Sequence, residues 1–385
     1  GDIEKAKKFT QSNSFLSDRL YNLQAVVYLK IGNYSAALES LGELISRWPA
    51  LKFLEWKIEI EDIDKIIKKF PNDFRGYIVR GIYYSSILED KSFELSIVDY
   101  KRALSLNPKY ALGYYLLGEA YSNKAMFNFN IETPEEYQSA LKAFTKAIEL
   151  NLKPSKDVNV FYGRGTVYLR LENYKEAIKD FSKAIEIDPK ESFEDRGDAY
   201  FELGNYRQAL ADYDNAIKLK RSDKSWDVFT MSFLYRLYKK KGDAYFKMGN
   251  YKQAINAYDK TVEYYHSAYV DKNYPNKNYP KGVARPARPA APAAAPGTPT
   301  TLSLIYEKRG ICHFELGNYE LALRDLDEAI EIPPIFNAHA DAYYYRGLTH
   351  EKLGNHQQAI KDVKVAAKRG VKAAQAFLKS KGIKW

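Results

Sequence analysis

Residues 158–191 read VNVFYGRGTVYLRLENYKEAIKDFSKAIEIDPKE, and the spacing of small and bulky residues in this stretch decides the fold. Phe161, Gly165 and Tyr168 stand at i, i+4 and i+7, which makes them one stripe along a helix. After Glu172-Asn173-Tyr174, the residues Ala177, Phe181 and Ala184 repeat the stripe on a second helix. Pro189 ends that helix, because proline has no N–H to donate and restricts the residue before it. Gly165 and Ala177 are small enough for the two helices to approach closely, while Tyr168 and Phe181 fill the space beside them. The unit is a helical hairpin.

The same stencil fits eight times, with Ala25, Gly81, Gly118, Gly165, Gly197, Gly242, Gly310 and Gly347 as the small residue of the first helix. The matching second-helix residues are Ala37, Ser96, Ala140, Ala177, Ala209, Ala254, Ala322 and Ala359. Gly-Asn-Tyr recurs at 32, 204, 249 and 317, with variants at Glu172 and Gly354. This Gly-x-x-Tyr, Ala-x-x-x-Phe, Ala, Pro pattern resembles the tetratricopeptide (TPR) repeat, and its Lys-, Asn-, Ile- and Tyr-rich phrasing resembles bacterial TPR arrays. The resemblance implies an all-α solenoid of about eight TPR helix-turn-helix repeats forming a right-handed superhelix.

On this reading the repeats occupy residues 18–51, 73–110, 111–154, 158–190, 191–223, 224–265, 303–336 and 340–370. Departures from the period mark the additions. Residues 52–72 form an extra or degenerate helix, 111–154 carry an insertion between helices, and 224–265 have an extended first helix. Residues 1–17 are expected to be the second helix of a truncated preceding repeat, so that the chain begins partway through a unit. Residues 371–385 are expected to form a capping helix that covers the last apolar face. Between two good repeats lies a Pro/Ala-rich loop at 266–300, too rich in proline for helix and too poor in bulk for a core.

Composition narrows the chemistry. The 385 residues carry 59 Lys and Arg against 49 Asp and Glu, a net charge of +10, with 45% hydrophobic residues, which describes a folded chain. No stretch approaches 18 apolar residues without a charge, so no membrane span is expected. The single cysteine, Cys312, excludes a disulfide framework and a multi-thiolate metal site, and leaves the compartment open between cytoplasm and periplasm. Cys312 and His313 are adjacent on a helix and point about 100° apart, so they do not pair as nucleophile and base. With no phosphate-binding glycine loop either, no catalytic residue, cofactor or metal is expected.

What remains is surface. The resemblance implies that a second stripe on each first helix lines a concave groove that receives peptides or helices of partner proteins. Carried over by position, the central groove residues are Tyr162, Thr166 and Arg170, then Glu194, Asp198, Phe201 and Glu202, then Lys239, Asp243, Phe246 and Lys247. Arg285 and Arg288 in the loop are opposite in charge to Glu194, Asp198 and Glu202, so the loop is a candidate built-in ligand or self-association segment. The expected function is a non-enzymatic scaffold or adaptor in a bacterial multiprotein assembly. The alternatives are an RNA-binding helical-repeat protein or the regulatory arm of a larger enzyme. Acids interleaved through most repeats oppose the RNA reading, because +7 of the +10 falls within residues 361–385.

Overall fold

The structure, a computed structural model, describes residues 14–46, 58–87, 89–127, 134–151, 160–189, 192–222, 227–269, 299–332 and 339–385. All eighteen elements among the described residues are helices, in two compact units, residues 1–199 and 200–385. In the first unit α1 (Ser14–Lys30) pairs with α2 (Tyr34–Ser46), and α3 (Ile60–Lys69) packs against α2 and α4. Three further hairpins follow: α4 (Phe74–Ser86) with α5 (Asp90–Leu106), α6 (Ala111–Phe127) with α7 (Pro134–Glu149), and α8 (Val160–Arg170) with α9 (Tyr174–Ile187). A continuous core runs from Ala25 on α1 to Val167 on α8, because each second helix packs on the next first helix. The unit ends within α10 (Phe193–Glu202), at Ala199.

The second unit repeats the arrangement. There α11 (Tyr206–Ser222) packs on α12 (Val228–Lys247), which pairs with α13 (Tyr251–Tyr269). Next come α14 (Pro299–Glu315) with α15 (Tyr319–Glu331), and α16 (Ala340–Lys352) with α17 (His356–Lys368). The expected cap is α18 (Lys372–Ser380), whose Ala374 and Leu378 bury themselves against Val363, Ala366 and Ala367 of α17. Two expected boundaries move. Residues 14–17 belong to α1 rather than to a preceding repeat, and α13 continues to Tyr269, into the segment expected to be loop. Residues 270–298, with Arg285 and Arg288, and residues 1–13 lie outside the described residues.

The Gly-Asn-Tyr turn joins two capping devices in three residues. Gly204 adopts φ +75, a left-handed conformation that a Cβ disfavours, and the next amide, Asn205 N–H, donates 2.8 Å back to the Tyr200 carbonyl. The Asn205 carbonyl then accepts from Ala209 N–H at 3.1 Å, so one residue closes α10 and opens α11. Where the glycine is missing, Glu172 takes the same conformation at φ 59 and keeps the bond from Asn173 N–H to the Tyr168 carbonyl, at 2.8 Å.

In six hairpins the packing glycine sits against a ring or branched side chain of its partner helix. A Cβ on Gly81 would lie 2.5 Å from the Tyr100 ring, one on Gly118 2.8 Å from Phe144, and one on Gly165 2.9 Å from Phe181. Tyr100, Phe144, Phe181 and Tyr258, the partner of Gly242, are among the largest fully buried side chains. Closeness of the helices is therefore set by glycine, and the ring fills what the missing side chain leaves. Gly81→Ala is expected to lower stability by about 1–3 kcal/mol through overpacking, although alanine at an open helical site would raise it by up to ~1 kcal/mol. Chemical denaturation of the two proteins decides the sign.

Candidate functional site

The residue before the packing glycine builds the strongest polar feature of both units. Arg164 Nε and Nη2 donate to Asp180 at 2.7 and 2.8 Å, and its Nη1 reaches Thr145 on the preceding second helix at 3.1 Å. Arg80 forks the same way onto Asp99, at 2.8 and 2.7 Å, and reaches back to Asp64. Arg309 clamps Asp325 and reaches Asp259, while Arg346 clamps Asp362 and reaches Asp327. Each guanidinium thus ties its own hairpin shut and staples it to the helix before. The planar five-donor fork suits this, since three bonds leave in one plane. The hydrogen bond that Arg164 donates to Asp180 holds the guanidinium above its ordinary range despite burial.

Two histidines replace the usual tyrosine one turn further on, and both face these clamps. His313 Nε2 lies 3.9 Å from Asp325, and His350 Nε2 3.9 Å from Asp362. Burial holds His313 below the ordinary histidine range, so the Asp325 carboxylate stays with the guanidinium. An arginine directly before each of these packing glycines is visible in the sequence, but its partner is not named by the apolar pattern. The aspartate stands directly before the bulky residue of the second helix, sixteen positions on in three of the four clamps, and that interval was the available signal.

The expected groove residues divide between the units. In the first, Tyr162 is half-buried with its ring 6.0 Å from Phe181, Thr166 donates its hydroxyl to the Tyr162 carbonyl, and Arg170 is exposed. Glu194 and Asp198 are half-buried on α10. In the second unit Phe201 and Phe246 pack on the turn tyrosines Tyr206 and Tyr251, with ring centroids 5.3 and 6.0 Å apart, so their hairpins use much of their area. Glu202 and Lys247 are exposed.

Lys239 and Asp243 come together with Lys308 and Tyr258 in one hub. Asp243 accepts from Lys239 at 3.0 Å, from Lys308 at 2.6 Å and from the Tyr258 hydroxyl at 2.9 Å. Burial disfavours its charge, yet the two ammonium groups hold Asp243 below the usual carboxylate range. The hub joins α12, α13 and α14.

Next to Lys308, Glu307 is mostly enclosed at 13% side-chain exposure. One carboxylate oxygen lacks a hydrogen-bond partner, His339 Nδ1 lies 3.7 Å away, and the α16 amide of Ala342 donates to the group. Burial, with Asp341 nearby, pushes the Glu307 carboxyl up to about 7.

Cys312 is 0% exposed, and burial pushes its thiol up to about 12, so it carries no reactive thiolate at neutral pH. No group of three His, Cys, Asp or Glu among the described residues is placed to hold a metal ion, and no described helix is long and apolar enough to cross a membrane.

Residues 158–191, 89–124, 191–223, 235–265 and 308–374, together more than half of the chain, match models of the tetratricopeptide repeat. The chain is a tetratricopeptide repeat protein. No curated protein sequence matches it. Among solved structures, the TPR array is similar to the STAND signal transduction ATPase with a tetratricopeptide repeat sensor from Pyrococcus horikoshii. That match has a TM-score of 0.55 and 16% identity, over 96% of this chain and 55% of that one. The C-terminal part of a TPR protein from Cytophaga hutchinsonii aligns with a TM-score of 0.50 and 14% identity, over 77% of this chain and 98% of that one. YrrB, a TPR protein with an unusual peptide-binding site, aligns at 0.42 and 22% identity, over 54% and 93%. At these identities the likeness is one of fold.

Removing one half of a TPR clamp should cost more than removing both. Asp180→Ala strands the mostly buried Arg164 and is expected to cost on the order of 3 kcal/mol. Arg164→Leu with Asp180→Ala, which reproduces Leu117 and Ala143 of the α6–α7 hairpin, is expected to cost less; equilibrium denaturation of both variants checks the order. The second expectation concerns pH. Glu307 titrates at about 7 when folded against an ordinary 4.5, so its neutral form favours the fold. That stability is complete below pH 4.5 and is lost as pH rises through 7. Glu307→Gln should therefore raise the thermal midpoint at pH 8, by on the order of 1–3 kcal/mol of stability, and leave it unchanged at pH 4.

Proposed function

We propose that this TPR chain is a non-enzymatic scaffold that binds peptides or helices of partner proteins along its first helices, within a bacterial multiprotein assembly. The observation that carries the reading is a division between constant and changing positions. Most of the residues that close the hairpins recur and are buried, whereas the exposed end of the offset stripe changes identity from repeat to repeat: Arg170 on α8, Glu202 on α10 and Lys247 on α12. A frame that repeats while its outward stripe differs is what selective recognition requires. The frame is already fixed by clamps and turns, so binding orders few groups. Tyr162 and Arg170 are the preferred anchors of the first unit, since aromatic and arginine side chains carry most interface energy.

Arg170, Glu202 and Lys247 are exposed, so their charges can be reversed without touching the core. Arg170→Glu, Glu202→Lys and Lys247→Glu combined are expected to lose the proteins that the parent chain captures from its native lysate. A Lys175→Glu control on the exposed second-helix face should keep them. Equal capture by the triple variant and the control would remove the basis for this reading.

A further inference from the structure

The first hairpin has neither the clamp found in most repeats nor the apolar pair that replaces it in α6–α7. Five hairpins place an arginine before the packing residue and an aspartate before the bulky residue of the second helix: Arg80/Asp99, Arg164/Asp180, Arg196/Asp212, Arg309/Asp325 and Arg346/Asp362. The α6–α7 hairpin has Leu117 and Ala143 there, both buried, so an apolar pair closes the space. The α12–α13 hairpin has Lys241 and Ala257, and Lys241 turns to Asp214 on the preceding helix. At the same two positions α1 and α2 carry Gln24 and Ser40. Both are shorter than the pair they replace and both are polar, so they neither bridge the gap nor seal it.

The gap opens into a pocket of about 460 Å³ that is partly open to solvent. Its floor is Gln24 and Ser40, 9% and 6% exposed. Tyr21 and Tyr28 contribute aromatic walls, and Glu39 and Glu43 contribute carboxylates. Ser40 donates its hydroxyl to the Ala36 carbonyl at 3.0 Å, which leaves the oxygen as an acceptor. The cation in the lining, Arg75, is already answered by Asp73 through side-chain bonds of 3.0, 3.2 and 2.7 Å. An anion would meet carboxylates there, and an apolar group would strand the acceptors. A planar cation with several N–H donors would meet oxygen acceptors on the floor and π-faces on the walls.

We propose that this cavity is a guanidinium-binding site, in which an arginine side chain from outside the chain occupies the place where five other hairpins carry their own. The reading does not depend on the groove: the cavity is built at clamp positions, between α1 and α2, with Arg75 of α4 on its far side.

The test uses the full chain and three probes, N-acetyl-arginine amide, N-acetyl-lysine amide and free arginine, with binding followed by calorimetry and by amide shifts of α1 and α2. The capped arginine is expected to saturate, with shifts confined to residues around the cavity. It should bind at least about tenfold tighter than capped lysine, whose ammonium lacks the fork. If capped arginine outbinds free arginine the natural source is a polypeptide, and the reverse order assigns the free amino acid; either order keeps the guanidinium site. Gln24→Arg with Ser40→Asp installs the clamp of the other hairpins, and is expected to abolish binding and raise the thermal midpoint. Gln24→Leu with Ser40→Ala, copied from the α6–α7 hairpin, should abolish binding as well. Should the second variant lose helicity, the first still decides. No saturable binding of capped arginine, equal binding of capped lysine, or binding that survives Gln24→Arg with Ser40→Asp would overturn the proposal.

Discussion

Close approach of two helices across a glycine and a ring is the constraint on which the rest of the structure depends. Gly81 against Tyr100, Gly118 against Phe144 and Gly165 against Phe181 leave no room for a methyl group. Because the helices are this near, the arginine next to the glycine can span both its own hairpin and the helix before it. Arg164 then bonds Asp180 and Thr145 at once, and Arg346 bonds Asp362 and Asp327. With wider spacing the guanidinium would reach one partner and leave the other carboxylate buried and uncompensated, which is costly. Apolar packing thus sets the distance, and the polar network uses it.

The turn follows from the same geometry. Two antiparallel helices packed this closely need a short connection that satisfies the orphan carbonyls of one and the orphan amides of the next. Gly-Asn-Tyr does this: the glycine supplies the left-handed residue, the asparagine bonds in both directions, and the tyrosine packs on the first helix of its own hairpin. Tyr206 on Phe201, Tyr251 on Phe246 and Tyr319 on Phe314 repeat that last contact. One use of the chain's many aromatics is this contact, repeated at three turns.

Apolar periodicity made the hairpins, their order and the terminal cap legible from residues alone, because small and bulky residues at fixed intervals have few other uses. The clamps were less legible. An aspartate on an amphipathic helix reads as solvated, and only a partner sixteen residues earlier on another helix shows that Asp180, Asp325 and Asp362 are buried acceptors. Stripe residues were placed on the correct helices, but position within a motif says nothing about what a side chain already touches. Asp243 was read as an open groove acid, and it is the centre of a hub with two lysines and a tyrosine. Helix ends were the other blind spot, since α13 continues through polar residues that carry no stop signal before Tyr269.

A repeat protein can change one position of its frame without losing the frame, because every hairpin is held by several independent contacts. The α6–α7 hairpin exchanges its clamp for Leu117 and Ala143 and keeps the Gly118–Phe144 wedge. Such an exchange is close to neutral, since the desolvation of a buried ion pair is lost along with its attraction. The exchange in the first hairpin is of another kind. Gln24 and Ser40 retain the polarity of the clamp without its reach, so the interior there keeps unspent acceptors and an unfilled volume. Water or a ligand completes a polar floor of that kind, which separates this joint in physical terms from the clamped hairpins and from the apolar α6–α7 joint.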